Sequence, residues 1–337
     1  METVSTSPIL DSAVKPYVRP RRLRATPALR ELVRENRWST RQLVLPIFVR
    51  EGISEPAPIA SLPGQFQHTV TSAVALTREA VDAGVGGVII FGVPAEENKD
   101  EFGSNAWSAD CIANKALRAI RDEVGERIVL MADTCLDEFT SHGHCGPLTP
   151  QGDVDNDAAV ACYQKVAVSQ AEAGAQIVAP SGMMDGQVAA IRAALDEAGF
   201  DDVAILAYSA KFASAFYGPF RDAVGCELSG DRKSYQEDPA NRREALHETE
   251  LDIAEGADMV MVKPGSSYLD ILSDVAEISP VPVGVYQVSG EYAMVAAAAE
   301  RGWIDLERIV DEQLTSFVRA GADFILTYWA LTAAKWC

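Results

Sequence analysis

The sequence predicts an α/β protein, a (β/α)8 TIM barrel preceded by an extended N-terminal arm. Three observations predict it. Eight short apolar runs recur between residues 43 and 328, the stretches between them carry helical periodicity, and four helix-to-strand joints repeat one pattern around a glycine. Those joints are residues 82–89 (DAGVGGVI), 172–178 (EAGAQIV), 254–260 (AEGADMV) and 319–325 (RAGADFI). Gly84, Gly174, Gly256 and Gly321 suit the left-handed conformation that stops a helix before the chain enters a strand. An open doubly wound sheet is the alternative architecture, but no glycine-rich dinucleotide fingerprint follows the first apolar run.

Taken in order, strands are expected at 43–48, 87–93, 128–133, 176–181, 203–208, 259–263, 283–288 and 324–328. Helical patterns lie between them, among them 72–83, 157–173, 186–198 and 241–254, several with Asp or Asn near the start to cap the first turn. The barrel is expected over 41–337 and the arm over 1–40. Residues 1–15 are polar and read as disordered, whereas the basic run RPRRLR at 19–24 and the amphipathic piece at 29–33 read as a segment that docks on another subunit.

Composition narrows the function. The length fits one barrel of about 250 residues plus an arm as well as it fits two domains. A net charge of −20 opposes nucleic acid or an anionic membrane as the main partner, since both would repel the chain at long range. No run approaches the roughly 18 apolar residues of a membrane span, and the N-terminus lacks the apolar core of a signal peptide. The six cysteines, at 111, 135, 145, 162, 226 and 337, show no dense disulfide spacing and suit a reducing cytoplasm.

In a barrel of this kind the carboxyl ends of the strands hold the active site. Asp133, Ser181, Lys211, Lys263, Ser289 and Tyr328 are expected there. The most informative stretch is 257–265 (ADMVMVKPG), a short buried strand that ends on Lys263. An amine at that place is partly desolvated, which lowers its pKa and makes it a carbonyl nucleophile able to form a Schiff base. The alternative is a lysine that reaches out of the strand end to water. Lys211 follows the preceding strand, and two neighbouring ammonium groups raise each other's cost of protonation, so at least one should be a neutral amine near pH 7.

The loop 133–146 (DTCLDEFTSHGHCG) brings together Cys135, Asp137 and Cys145, with His142 and His144 nearby. Metal binding is the sharper reading, with zinc favoured by two thiolates; the plainer one is a loop whose cysteines are incidental. Residues 212–221 and 230–236 can close over a pocket and bring Arg221 and Arg232 onto a carboxylate, or they are a surface loop with ordinary charges.

Three motifs, MVKPG at 261–265, KFASAFYGPFRD at 211–222 and TSHGHCG at 140–146, together resemble the porphobilinogen synthase (5-aminolevulinate dehydratase) family, and the resemblance runs from about Arg19 to the C-terminus. It implies a (β/α)8 barrel whose arm wraps a neighbouring subunit in an octamer, and the condensation of two 5-aminolevulinate molecules to porphobilinogen with loss of two waters in tetrapyrrole synthesis. It implies that Lys263 forms the Schiff base with the substrate giving the propionate side and Lys211 with the one giving the acetate side. By the same resemblance Ser289 and Tyr328 hold the first substrate's carboxylate, and Arg221, Arg232 and Gln236 the second's. Asp133, Ser181, Asp185 and Tyr217 match further active-site positions. Glu244 resembles a glutamate that holds an allosteric magnesium through waters, or is a solvated helix residue. The metal loop departs from the zinc pattern of three cysteines, because Asp137 replaces the middle one. Two other readings remain open: an aldolase that uses Lys263 alone, with Lys211 as acid or base, and a metal-binding oligomer without activity.

Overall fold

The computed structural model describes residues 18–226, 228 and 230–337; residues 1–15, read above as disordered, lie outside them. The chain divides into two compact units, 1–37 and 38–337. In the first, a 3-10 turn Pro20–Arg24 leads to the helix Pro27–Leu32, whose cap is the Thr26 hydroxyl accepting from the Leu29 amide at 3.2 Å. No described residue of that unit is buried.

The second unit is a closed barrel. Its strands are β1 (Leu43–Arg50), β2 (Gly87–Val93), β3 (Val129–Thr134), β4 (Ile177–Pro180), β5 (Ala204–Lys211), β6 (Met259–Lys263), β7 (Val283–Gln287) and β8 (Phe324–Thr327). Each pairs in parallel with the next, and β8 pairs back onto β1 through Leu43 with Ile325 and Val44 with Leu326. Helices cover the outside, so the strands are buried on both faces. That is why they read as continuous apolar runs, β2 being buried along its whole length. A short strand Phe66–His68 adds to β1 and closes a small hairpin with Ala57–Pro58.

Among the helices between strands are α1 (Val70–Asp82), α2 (Ile112–Val124), α3 (Asn156–Glu172) and α4 (Gln187–Glu197). After β5 come α5 (Gly218–Val224) and α6 (Arg242–Glu255), followed by α7 (Leu269–Ile278). Asp155 caps α3 by accepting from the Ala158 amide at 3.1 Å. Asn241 stands at the start of α6 but leaves the backbone uncapped; its amide donates instead to Glu244 at 2.7 Å. No helix among the described residues is long and apolar enough to cross a membrane.

The expected and observed strands agree to within a residue or two except at β5, which continues to Lys211 because of a register shift between Ala207 and Ala210. One extra residue on β5 reverses which face its later side chains take. Lys211 thereby comes directly opposite Lys263 on β6.

The four joint glycines all take positive φ: Gly84 72°, Gly174 97°, Gly256 105° and Gly321 111°. Their surroundings differ. A Cβ on Gly321 would lie 2.4 Å from the Ala276 Cβ on α7, whereas one on Gly256 would meet only the flexible Arg192 side chain at 3.4 Å. Gly256→Ala is expected to cost about 1–2 kcal/mol from backbone conformation alone. Gly321→Ala is expected to cost about 1–3 kcal/mol more through overpacking, read as a larger fall in thermal midpoint. Equal losses in the two variants would show that the α7 contact does not matter.

Candidate active site

Because β5 and β6 end in register on a lysine each, the carboxyl end of the barrel carries two buried amines, Lys211 and Lys263, exposed by 5% and 6%. Aromatic rings enclose the second. The Lys263 Nζ lies 4.4 Å from the ring centre of Tyr286, 4.9 Å from Tyr208, and 5.4 Å from both Tyr217 and Phe220. Rings of this kind attract a cation weakly and exclude water, so the enclosure leaves the ammonium short of hydration. Burial, and then the neighbouring Lys211 charge, push the Lys263 amine down to about 7 against the opposing pull of Asp133. Lys211 donates to the Ser181 carbonyl, and its Nζ lies 5.6 Å from the Tyr208 ring. One tyrosine ring is thus shared by both amines.

Asp133, on β3, accepts from the Ser181 hydroxyl at 3.3 Å and keeps its other oxygen buried without a partner. Burial raises its carboxyl to about 6, with Lys263 pulling down and Asp137 pushing up. Near neutral pH the site therefore holds an amine and a carboxyl that both titrate close to the working range, the arrangement proton transfer needs.

A cavity of about 300 Å³ opens over these groups. Of the residues expected at the site it is lined by Asp133, Asp137, Ser181, Lys211, Tyr217, Arg221, Arg232, Gln236 and Lys263. The segment between β5 and α6 roofs it. Gln236 is buried with its amide nitrogen unpartnered, Arg221 is exposed on α5, and Tyr217 donates to the Phe212 carbonyl at 2.8 Å. Ser289 and Tyr328 do not line this cavity. The Ser289 hydroxyl holds the roof from behind, donating to the Phe216 carbonyl at 3.2 Å and accepting from the Phe220 amide at 3.0 Å. The Tyr328 hydroxyl lies 3.5 Å from that of Tyr286.

The metal-type loop is buried beside the cavity. Cys135, Asp137 and Cys145 are 2%, 3% and 0% exposed, and their ligand atoms lie within 4.8 Å of one another. Two polarisable sulfurs and a carboxylate fit a borderline divalent cation such as zinc, less tightly than three thiolates would. Arg232 reaches across to the same loop, donating to Asp137 Oδ2 and to the Gly143 carbonyl, each at 2.8 Å. Burial opposes the Asp137 charge, but Arg232 and then Lys211 outweigh it and hold the carboxyl below the usual range. The Cys145 thiol is lowered by a hydrogen bond from Cys135 against the opposing effect of burial. The histidines belong to the framework: His142 lies 3.1 Å from the Glu101 carbonyl through Nε2, and His144 Nδ1 lies 3.1 Å from the Tyr235 hydroxyl.

Asp185 and Glu244 lie elsewhere. Both line a second cavity of about 330 Å³, with Asp153, Glu237 and Glu248, on the other side of the wall formed by Lys233 and Gln236. Glu237 is buried there with both carboxylate oxygens unpartnered, and burial, then Glu244 and Glu248, push its carboxyl up to about 9. Sequence reasoning did not single out Glu237, Glu138 or the rings of Tyr208, Tyr286 and Phe220. Tyr208 and Tyr286 sit inside apolar strands, where a tyrosine reads as core; a clue was that β5 ends on a lysine three residues after Tyr208.

The Lys263 environment sets a pH dependence. Its acylation by an amine-selective reagent, followed by mass spectrometry, is expected to rise about tenfold per pH unit below about 7 and then level, because the neutral form is the nucleophile. Lys211→Met removes a like charge and should move the midpoint up; Asp133→Asn removes an opposing charge and should move it down. Reactivity still climbing steeply above about pH 9, as for a solvated lysine, would refute the assigned environment.

Comparison with known proteins agrees with this geometry. The family model described as delta-aminolevulinic acid dehydratase matches residues 17–336. The chain is 60% identical over 321 residues to the delta-aminolevulinic acid dehydratase of Mycobacterium leprae, covering 95% of this chain and 98% of that protein. It is 51% identical over 317 residues to the enzyme of that name from Escherichia coli, with 94% and 97% covered. A crystal structure of delta-aminolevulinic acid dehydratase (porphobilinogen synthase) from Toxoplasma gondii ME49, in complex with the reaction product porphobilinogen, superposes with a TM-score of 0.93 at 44% identity, covering 95% of this chain and 91% of that one. With the barrel, the paired lysines and the match over nearly its whole length, the chain belongs to the delta-aminolevulinic acid dehydratase family.

Proposed function

We propose that this chain condenses two molecules of 5-aminolevulinate into porphobilinogen with loss of two waters. The observation that carries the reading is the pair of buried lysines in register on β5 and β6, both facing one cavity. Each amine adds to the C4 ketone of one substrate and expels the ketone oxygen as water, which accounts for both waters. The iminium so formed acidifies the neighbouring C–H and accepts the electrons of an aldol-type addition. Formation of the new C–C bond at one C4 and the new C–N bond at the other releases both lysines as free amines. Holding both substrates in one cavity replaces a bimolecular encounter by an effectively unimolecular step.

Lys263 takes the substrate giving the propionate side and Lys211 the one giving the acetate side. Arg221, Arg232 and Gln236 on the roof receive one carboxylate; Ser289 and Tyr328, close behind the cavity wall, receive the other. Asp133, with a carboxyl raised to about 6, is suited to move the proton of the reacting amine, and Ser181 and Tyr217 orient it and the substrates. Asp185 borders the second cavity beside Glu244, where the acidic lining suits magnesium held through waters. Zinc is the ion assigned to Cys135, Asp137 and Cys145; when bound it supplies a Lewis acid that lowers the pKa of an amine or water beside it. The exposed Val18, Leu23 and Leu32 of the arm suit wrapping of a second copy, in an octamer built from arm-wrapped dimers in the cytoplasm.

Incubation with 5-aminolevulinate should give a pyrrole that colours with an acidic aldehyde reagent, and borohydride should trap substrate on the protein. Lys263→Ala is expected to lower turnover by about a thousandfold or more and to reduce trapping. Trapping without any pyrrole would point to an aldolase that uses one lysine, and equal trapping by Lys263→Ala would overturn its assignment. Chelation followed by separate addition of zinc and magnesium, with elemental analysis, identifies the ion at each site; full activity in metal-free protein would remove zinc from the reading.

A further inference from the structure

Beside the set Cys135, Asp137 and Cys145 lies a second one that shares a sulfur with it. The ligand atoms of Asp133, Cys135 and Glu138 are also within 4.8 Å of one another. Glu138 is 2% exposed, and its Oε1 has no hydrogen-bond partner. Its carboxyl shares a side-chain hydrogen bond with that of Asp137, and the oxygen left without a partner is costly to bury. The turn that carries it is well defined: the Leu136 carbonyl accepts from the amides of Phe139 at 2.9 Å and Thr140 at 2.8 Å, and the Thr140 hydroxyl donates to the His144 carbonyl at 2.8 Å. Asp137, the carboxylate of the first set, is already committed through Oδ2 to Arg232. Glu138 and Asp133 each bring one carboxyl oxygen to Cys135, and each keeps one oxygen buried and unpartnered, Oε1 and Oδ1 respectively.

We propose that Glu138 is a further ligand of the metal centre, so that a divalent cation is held by a mixed set of carboxylates and thiolates around Cys135 and not by Cys135, Asp137 and Cys145 alone. This rests on the reading of the loop as a metal centre. Such a set is harder than three thiolates, and it gives the unpartnered oxygen of Glu138 a partner.

The test uses cobalt(II) alone as probe, added to the metal-free full-length protein and followed by the sulfur-to-cobalt charge-transfer band, with affinity measured by competition against a chelator. Glu138→Gln, which keeps the side-chain volume, is expected to weaken binding by about tenfold or more while the band per bound ion persists, because both sulfurs remain. Glu138→Asp keeps the charge but withdraws it by one methylene; it should weaken binding as well and carries the test if the glutamine variant does not fold. Unchanged affinity in these variants would overturn the proposal. Absence of the band in the unsubstituted protein would overturn the metal-centre reading itself, and the proposal with it.

Discussion

Two amines buried side by side at one end of the barrel dominate this structure. Lys211 and Lys263 end adjacent strands in register, each almost fully buried, with four aromatic rings around Lys263 and one of them shared with Lys211. Two ammonium groups so placed would repel each other where little water remains to screen them. Burial first, and then the Lys211 charge, bring the Lys263 amine down to about 7. Asp133 and the Tyr208 ring sit where they moderate it, the first by charge, the second by a ring face turned to both amines.

Around this pair the polar groups form a connected wall. Arg232 joins the roof to the loop of Cys135, Asp137 and Cys145, since one guanidinium nitrogen donates to Asp137 and Gly143 and contacts the Cys226 sulfur at 3.5 Å. Ser289 fixes the roof from the opposite side through the backbone of Phe216 and Phe220. The buried ion pair is held in place by hydrogen bonds at both partners, the condition under which such pairs are retained in an interior. The Arg232 guanidinium is therefore held in one orientation at the edge of the cavity.

Much of this was legible in the sequence. Parallel strands covered on both sides must be apolar throughout, so the eight runs stood out, and the glycines that end four helices marked the joints between elements. A lysine closing an apolar strand is conspicuous for the same reason. The aromatic enclosure was not legible, because Tyr208 and Tyr286 are indistinguishable in sequence from core residues. Asp185 and Glu244 appeared as isolated acids on different elements, and only folding brought them to a common cavity.

By itself the sequence determined the barrel, the order of its elements, the two strand-end lysines and the metal-type loop, because each depends on local pattern: apolar runs, glycine stops and donor side chains a few residues apart. The tertiary structure decided how these meet. The extra residue between Ala207 and Ala210 turns Lys211 to face Lys263, and strand register is a property of two paired segments that neither carries alone. The fold likewise brings Arg232 to Asp137 across 95 residues of chain, and that meeting holds the Asp137 carboxyl below the usual range against the effect of burial.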